Sequence, residues 1–413
     1  MDNGTAQAVR LGRRMILLGW LAQNAMTGFA FGSFGTLVLA FERDLGVSRS
    51  MSTLGIPLML IAMALCAPVI GILAQRSSLR LLMMAGAALS AIGYTLIGLA
   101  PHFWIVLAGY GLFVGPGAAM LGSMVPSALM SNWFDAGRGR AIGIVNMPIL
   151  VGVVPLASSW LITHHGRGAV FAMMAIGMSL LVPVMALVID HPRKRGLLPV
   201  GATPAAADAP PLPLLDYAAM ARKPVFWGIV LMGCVLGGAG VTMVSHIVPL
   251  AVGRGFDISR AALLLTAIGM LGAVGSPVFG WLADRLGGVA ALTLNGALQA
   301  LLWSVILTAP SFPVTLGIVA LIGIGAGGLM AALGSTFSER FGPQNFGRAY
   351  GLFAFVNLPF SVGMPMMAAL SFDRTGSYAP AFLGVILALG GIALLGFTLV
   401  TRETRLRRAL APA

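Results

Sequence analysis

The side chains that could do chemistry inside the apolar stretches of this 413-residue chain are few and uncharged at neutral pH. His246 is the one group there that titrates near physiological pH, so it could gain and lose a proton during a working cycle. In another stretch, Trp20, Asn24, Thr27 and Phe31 follow at i, i+4, i+7 and i+11, which places them on one face of a helix. These residue types indicate hydrogen bonding and proton exchange.

A second polar face follows the same rule in the second half of the chain. It consists of Thr242, Ser245, His246 and Pro249, and Gln23 adds an amide beside the first face. Each of these polar groups could instead tie two helices together, a bond that contributes on average about 0.6 kcal/mol in membranes. Both interpretations stay open at this point.

Covalent catalysis and metal binding are not indicated. The two cysteines, Cys66 and Cys234, lie in apolar runs and do not form a metal-binding pattern. No nucleophile–base set and no phosphate-binding glycine loop is recognisable. We therefore expect a protein that is not an enzyme, needs no cofactor or metal, and takes energy from gradients.

Composition identifies the elements that position these residues. The chain is 58% hydrophobic and 9% charged, with a mean hydropathy of +0.95, whereas soluble domains carry about 25% charged residues. Runs of about 20 apolar residues are long enough to cross a bilayer as helices. Twelve such spans are predicted, starting near residues 14, 52, 79, 102, 138, 168, 223, 260, 288, 312, 347 and 378. The first follows a basic N-terminus without a cleavage site, so we expect it to be retained.

Basic residues give the orientation. With the N-terminus inside, 19 of the 25 Lys and Arg fall in inner segments and six in outer loops. This bias predicts a multi-pass protein of the inner (plasma) membrane with both termini cytoplasmic. The basic residues are scattered among short loops, so we expect no nucleic-acid partner.

The chain repeats itself across a Pro- and Ala-rich linker. Gly71 matches Gly280 and Arg140 matches Arg348, at offsets of 209 and 208 residues. We predict an N-terminal bundle over 1–190, a cytoplasmic linker over 191–222 and a C-terminal bundle over 223–413. Internal symmetry of this kind is typical of transporters whose substrate site lies near the bilayer midplane at the repeat interface.

The repeat contains Asn-x-Pro in the predicted spans 5 and 11. Asn146 precedes Pro148, and Asn357 precedes Pro359. Proline removes a backbone donor and frees the carbonyl one turn earlier, and an asparagine could satisfy the freed groups. The pattern predicts two bendable points, with a purely structural kink as the alternative.

Several longer segments carry a family resemblance. They are FERDLGVSRS, NWFDAGRGRAIGI, HPRKRGLLP, HIVPLAVGRG, GWLADRLGG, FGPQNFGRAYGL and FDRTGSYAPAF. The chain resembles the major facilitator superfamily over nearly its whole length, and within it the monocarboxylate-porter and oxalate/formate-antiporter branch. The resemblance implies an all-α membrane protein with twelve transmembrane helices in two pseudo-symmetric six-helix bundles, in which spans 1 and 7 line the cavity.

Two departures from the family pattern bear on function. Ser276 stands where anion porters of this branch often have arginine, and Gln75 stands where the loop motif after span 2 usually has aspartate. The second copy of that motif keeps Asp284. The resemblance implies that these loops brace the inner face, Asp284 near the start of span 5 and Gln75 near the start of span 11. The predicted gating residues are Gln75, Arg76, Arg138, Arg140, Asp284, Arg285 and Arg348.

We expect a secondary active transporter that moves a small organic solute by alternating access. A monocarboxylate-like anion, moved with or without a proton, is the expected solute, and the protein is expected to work as a monomer in the lipid bilayer. The predicted substrate-binding residues are Trp20, Gln23, Asn24, Thr27, Phe31, Asn146, Thr242, His246, Ser276 and Asn357. The alternatives are an efflux transporter for neutral or hydrophobic compounds and a non-transporting receptor that senses a solute.

Overall fold

The structure, a computed structural model, describes residues 3–202 and 213–410. Within these residues the only β pairing is a single bridge between Phe134 and Val200. The helices up to the linker are α1 (Asn3–Thr27), α2 (Phe34–Leu45), α3 (Arg49–Ser52), α4 (Gly55–Arg76), α5 (Leu79–Gly98), α6 (Phe103–Ala108), α7 (Gly115–Leu121), α8 (Met124–Trp133), α9 (Arg138–Val145) and α10 (Leu150–Met185). Those after it are α11 (Tyr217–Ala221), α12 (Pro224–Gly253), α13 (Ile258–Leu286), α14 (Gly288–Leu307), α15 (Phe312–Phe341), α16 (Phe346–Thr375) and α17 (Ala379–Leu410).

The number of membrane-crossing helices differs from the predicted twelve. In the described part of the chain ten helices are long and apolar enough, or eleven if the pair Gly4–Gly32 and Thr36–Leu45, bent by 53°, counts as one span. The difference lies in Arg138–Met185, which counts once although its 48 residues include the predicted spans 5 and 6. Gly166 interrupts this stretch with φ 78° and ψ 179°, a left-handed conformation that favours glycine.

The chain divides into two compact units. Unit 1 contains the described residues up to Leu214 together with Phe341–Phe355, and unit 2 contains Leu215–Arg340 and the described residues from Val356 onward. The helix α16 therefore begins in unit 1 and continues in unit 2. The predicted bundle boundaries at residues 190 and 222 stay a prediction.

Aromatic rings fill the core of unit 1. Phe41 stacks on Phe171 at 5.9 Å between ring centroids and meets Phe103 edge-on at 5.8 Å. Tyr94 lies 6.4 Å from Phe171, and all four rings are buried. Such offset and edge-to-face contacts are favourable for aromatic pairs, and they hold α2, α5, α6 and α10 together.

Glycines allow two helices of unit 2 to touch through their backbones. A Cβ atom at Gly275 of α13 would lie 1.9 Å from the carbonyl oxygen of Ile324. At Gly327 of α15 it would lie 1.8 Å from the carbonyl oxygen of Gly272. No larger residue fits at either crossing. Close backbone approach through small residues is the usual way in which membrane helices pack.

Charged side chains from elsewhere in the chain form hydrogen bonds with the backbone at both ends of α5. Asp190, just after α10, accepts hydrogen bonds from the Arg80 N–H at 2.8 Å and the Ser78 hydroxyl at 2.8 Å, and it pairs with Lys194 at 2.6 Å. Burial opposes ionisation of Asp190, but the bonds from Lys194, Arg80 and Ser78 outweigh it and lower the pKa of the carboxyl. At the other end Arg167 donates to the carbonyl of Ala100 at 3.1 Å.

The helix α14 in unit 2 has the same arrangement. Glu339 accepts from the Gly288 N–H at 3.0 Å, and Arg254 donates to the Ile306 carbonyl at 2.7 Å. The helix dipole is positive at the N-terminus and negative at the C-terminus, so a negative charge at the first and a positive charge at the second both stabilise the helix. The two helices are therefore fixed at both ends by partners from outside their own sequence.

Candidate functional site

Asn24 bridges α1 to a break in the chain between α9 and α10. Its side chain is fully buried and donates to the Met147 carbonyl at 2.9 Å. Its oxygen accepts from the backbone N–H groups of Ile149 at 2.8 Å and Leu150 at 3.1 Å. Because residues beside a helix break lack intrahelical partners, Asn24 supplies the missing ones. In this conformation Asn24 therefore ties two parts of the helix bundle together, which is the second of the two interpretations left open by the sequence.

The rest of the face on α1 is less occupied. The Thr27 hydroxyl donates to the Gln23 carbonyl within the same helix at 2.8 Å, and the buried Gln23 side chain accepts from Asn24 at 3.2 Å. Phe31 lies beyond the end of α1, in a π-helix at Gly28–Gly32, and is 42% exposed. The indole Nε1 of Trp20 is buried and has no hydrogen-bond partner among the described residues. An unpaired buried donor of this kind is costly, which makes Trp20 a candidate to bind an acceptor.

Asn146 closes the break from its other side. Its amide nitrogen donates to the Ser127 hydroxyl at 2.9 Å and to the Ile142 carbonyl at 2.9 Å, and its oxygen accepts from the Ser123 hydroxyl. The carbonyl of Ile144, freed by Pro148, accepts from the Met147 N–H at 3.2 Å. Asn146 thus joins α9 to α8, and the freed carbonyl is satisfied by the backbone.

The second Asn-x-Pro does not break its helix. Pro359 lies inside α16, which runs unbroken from Phe346 to Thr375, so the two copies differ in this respect, and a bendable point at the second copy stays a prediction. The Asn357 nitrogen donates to the Ser361 hydroxyl one turn later at 2.9 Å. Its buried oxygen has no partner in the described structure and faces Gly237 of α12, where a Cβ would lie 3.0 Å away.

His246 links α12 to α16 in unit 2. Its Nε2–H donates to the Pro365 carbonyl at 2.9 Å, since a carbonyl can only accept. Its ring lies 5.1 Å from that of Tyr378. Thr242, on the same face, donates to the Gly238 carbonyl of its own helix at 2.8 Å. Ser276 on α13 is fully buried, and its hydroxyl has no partner within the described residues.

A cavity of about 250 Å³ in unit 2 opens beside Tyr378. Arg254, Ser377 and Tyr378 line it together with apolar residues. Burial raises the pKa of Tyr378, and the charge of Asp373 adds to the rise, so its hydroxyl stays a neutral donor. The cavity therefore combines a cation and neutral donors, groups that suit an anion or a polar solute.

The comparisons with known proteins decide the family. A sequence model of the Major Facilitator Superfamily matches residues 20–359. This chain belongs to the major facilitator superfamily. Human monocarboxylate transporter 11 is 28% identical over 412 residues, covering 92% of this chain and 82% of the relative. The probable nitrate/nitrite transporter NarK2 of Mycobacterium tuberculosis is 27% identical over 340 residues, covering 77% and 79%.

The fold agrees with the family. The proton:xylose symporter XylE superimposes with a TM-score of 0.70 at 15% identity, over 94% of this chain and 95% of that one. Relatives and structural neighbours are transporters and not enzymes. The chain is thus a multi-pass membrane transporter of this superfamily, and it carries a small solute. A group of three or more His, Cys, Asp or Glu that could hold a metal is absent from the described residues of this transporter.

The predicted gating residues of the transporter have defined surroundings. Gln75 donates to Asn345, the residue before α16, at 3.4 Å. Arg138 pairs with Asp135 at 3.1 Å and donates to the Phe134 carbonyl at 2.9 Å. The Arg285 guanidinium lies 4.8 Å from the Trp281 ring centroid. The remaining four are Arg76, which ends α4, Arg140 in α9, Asp284 in α13, and Arg348, which is buried near the start of α16. Their role as gates stays a prediction.

Sequence reasoning missed the residues that close α5 and α14. They are Asp190, Glu339, Arg167 and Arg254. Their partners lie 51 to 110 residues away for Glu339–Gly288, Arg254–Ile306, Arg167–Ala100 and Asp190–Arg80. The sequence contained a weak signal for them. The N-terminus of a helix attracts acidic side chains and the C-terminus attracts basic ones, and charges of both signs lie just outside the predicted spans.

Proposed function

We propose that this transporter moves a singly charged small organic anion, of the monocarboxylate type, across the inner membrane by alternating access. The observation that carries this proposal is the chemistry of the named relatives. One is named for monocarboxylates and another for nitrate and nitrite, and all of these are monovalent anions. The chain itself places no Lys or Arg in the middle of a predicted span, so a second negative charge would lack a partner.

Three groups with unused hydrogen-bond capacity support a polar but uncharged contact with the solute. They are the Trp20 Nε1–H, the Ser276 hydroxyl and the Asn357 carbonyl oxygen. We propose that these groups contact the solute during the cycle, while Asn24 and Asn146 hold the α9–α10 break in place. His246 is the candidate to carry a coupled proton. The protein works as a monomer, with both termini in the cytoplasm.

The test is solute flux into proteoliposomes that contain the purified full-length protein. Pyruvate, nitrate, oxalate and glucose are offered as labelled solutes, with and without an inward proton gradient. We expect uptake of pyruvate that exceeds uptake of glucose and oxalate by at least tenfold. Protein-free liposomes serve as the control, and the Trp20→Phe variant, which keeps a ring but loses the donor, tests the proposed contact of Trp20 with the solute.

Each alternative has its own signature in this assay. Tight competition by oxalate at neutral pH would contradict the preference for a single charge. Export of a hydrophobic dye without any pyruvate flux would favour the efflux alternative. Ligand-induced thermal stabilisation without flux of any solute would favour the receptor.

A further inference from the structure

A groove of about 390 Å³ opens in unit 1 at the end where the basic loops lie. Two arginines and four apolar side chains make up most of its wall. These are Arg13, Arg140, Val9, Ile16, Ile144 and Val200. They come from α1, from α9 and from the start of the linker. The groove therefore combines cationic and apolar chemistry in one place.

The floor of the groove is fixed by the linker. The Val200 N–H donates to the Trp133 carbonyl at 2.8 Å, and the Val200 carbonyl accepts from the Asp135 N–H at 3.0 Å. Gly12 of α1 packs against this floor, since a Cβ there would lie 3.1 Å from Phe134 and 3.2 Å from Val200. A larger residue at position 12 would press on the Phe134 and Val200 side chains, so α1 and the linker are in close contact at the groove.

The electrostatics of the groove favour an anion. The Arg140 guanidinium folds over Gly137, where a Cβ would lie 3.2 Å from its Nη2 atom. Gly137 is the N-cap of α9, so this guanidinium adds to the positive end of a helix dipole. Arg13 lines the same groove and is exposed. Of the described residues that line it, none is acidic.

The apolar wall points to an amphiphile. Ile144 is 38% exposed, and Ile16 is half-buried. Both belong to helices that the hydropathy places in the membrane, so lipid chains are their natural neighbours. Inorganic phosphate would engage the two arginines alone and leave Ile16 and Ile144 uncovered. A phospholipid satisfies both parts of the groove.

We propose that this groove binds an anionic phospholipid of the cytoplasmic leaflet. Its phosphate lies between Arg13 and Arg140, and an acyl chain follows Ile16 and Ile144. Basic pockets between membrane helices on the cytoplasmic side bind anionic lipid headgroups by the same physics. The lipid would join α1, α9 and the linker at one point. The proposal holds whether the protein transports or only senses its solute.

The test is native mass spectrometry of the full-length protein with phosphatidylglycerol or phosphatidylcholine. Arg13→Gln with Arg140→Gln should lower retention of phosphatidylglycerol at least tenfold and leave phosphatidylcholine unaffected. The matched control is Arg10→Gln with Arg14→Gln, because both residues are exposed on α1 and neither lines the groove. Should the double variant not purify, Arg13→Gln and Arg140→Gln alone, each with a severalfold loss, decide the question.

Two further experiments distinguish binding of a whole phospholipid from binding of a phosphate group alone. Ile144→Ser should weaken phosphatidylglycerol binding severalfold, and inorganic phosphate should not raise the melting temperature of the wild-type protein. An equal loss in the Arg10/Arg14 control, or equal retention of the two lipids, would overturn the proposal. Stabilisation by inorganic phosphate as large as that by phosphatidylglycerol would overturn it in favour of a phosphate site.

Discussion

Among single residues, Asn24 and His246 make the bonds whose loss is most informative. Asn24 reaches five partners, all in unit 1. His246 makes one bond between helices and keeps the only titratable ring in the polar face of α12. Asn24 has its hydrogen bonds filled within unit 1, whereas His246 is the residue that we propose to carry a proton. We therefore expect substitutions at the two sites to change different observables.

Asn24→Ala should destabilise the protein by about 1–3 kcal/mol, because it removes the hydrogen bonds that join the buried Asn24 side chain to Met147, Ile149 and Leu150. Thermal unfolding in detergent measures the loss. Thr27→Ala is the control, since Thr27 bonds only within its own helix and should change stability by less than about 0.5 kcal/mol. If Asn24→Ala instead left stability intact and raised the half-saturation concentration, Asn24 would be a solute contact.

His246→Gln should flatten the pH dependence of uptake and leave exchange of labelled solute largely intact. Glutamine can still donate to the Pro365 carbonyl, so the bond between α12 and α16 is kept while the titrating group is lost. Uptake between about pH 5.5 and 8 measures the effect. His164→Gln is the control, because His164 is exposed and bonds to its own helix at Trp160. An unchanged profile in His246→Gln would return His246 to a structural role.

At the scale of elements, the closed ends of α5 and α14 are the feature with the clearest energetic consequence. Asp190→Asn should cost about 1–2 kcal/mol at pH 7, since it removes the charge that meets Lys194 and the helix dipole. Folding lowers the pKa of Asp190 below its ordinary value of 3.8. Its contribution is therefore complete at neutral pH and is lost as the pH falls through the folded-state pKa.

The measurement is the difference in unfolding free energy between wild type and Asp190→Asn at pH 7 and below about pH 3, where it should shrink. Asp257→Asn provides the same substitution at an exposed helix start, where the side chain accepts from the Arg260 N–H. That control should change stability by less than about 0.5 kcal/mol. A difference for Asp190→Asn that is independent of pH would contradict the ionic part of the argument.

Elements were predictable from the sequence where their cause is local. Apolar runs predict helices, and the glycine at 166 and the proline at 148 mark real interruptions. The side chain that binds the backbone at the break between α9 and α10 is not local, because Asn24 is 123 residues from Met147. The same motif also does not always interrupt a helix. Pro148 ends a helix whereas Pro359 does not, since the surrounding helices decide whether the freed groups find partners.

For the whole molecule, the unequal loop motifs predict that the two braces of the inner face contribute unequally, one ionic and one neutral. If Asp284 braces the inner face, Asp284→Asn should shift the protein toward the inward-facing state. Gln75→Asp, which adds a carboxylate beside Asn345 at the start of α16, should shift it toward the outward-facing state. A brace of about 1–2 kcal/mol changes the ratio of states by roughly 5- to 30-fold.

Labelling of single cysteines at the inner and outer mouths reports that ratio. Cys66, which is half-buried, and Cys234, which is buried, must first be replaced so that only the added cysteine reacts. Arg80→Gln is the charge control, because Arg80 is exposed just after the first of the two loops and is not a predicted gating residue. Unchanged inner accessibility in Asp284→Asn would show that the brace lies elsewhere.

The closed ends of α5 also bear on how the protein is made. When α5 leaves the ribosome, Arg167 and Asp190 are still to be synthesised, and the second of them follows the end of the helix by about 90 residues. The first bundle must therefore wait in the membrane with both ends of α5 open. By contrast, Arg254 precedes α14, so one end of that helix can be closed as soon as it enters. A nascent chain arrested far enough beyond Lys194 for Asp190 to have left the ribosome should accordingly protect the ends of α5 from protease, and one arrested before Arg167 should not.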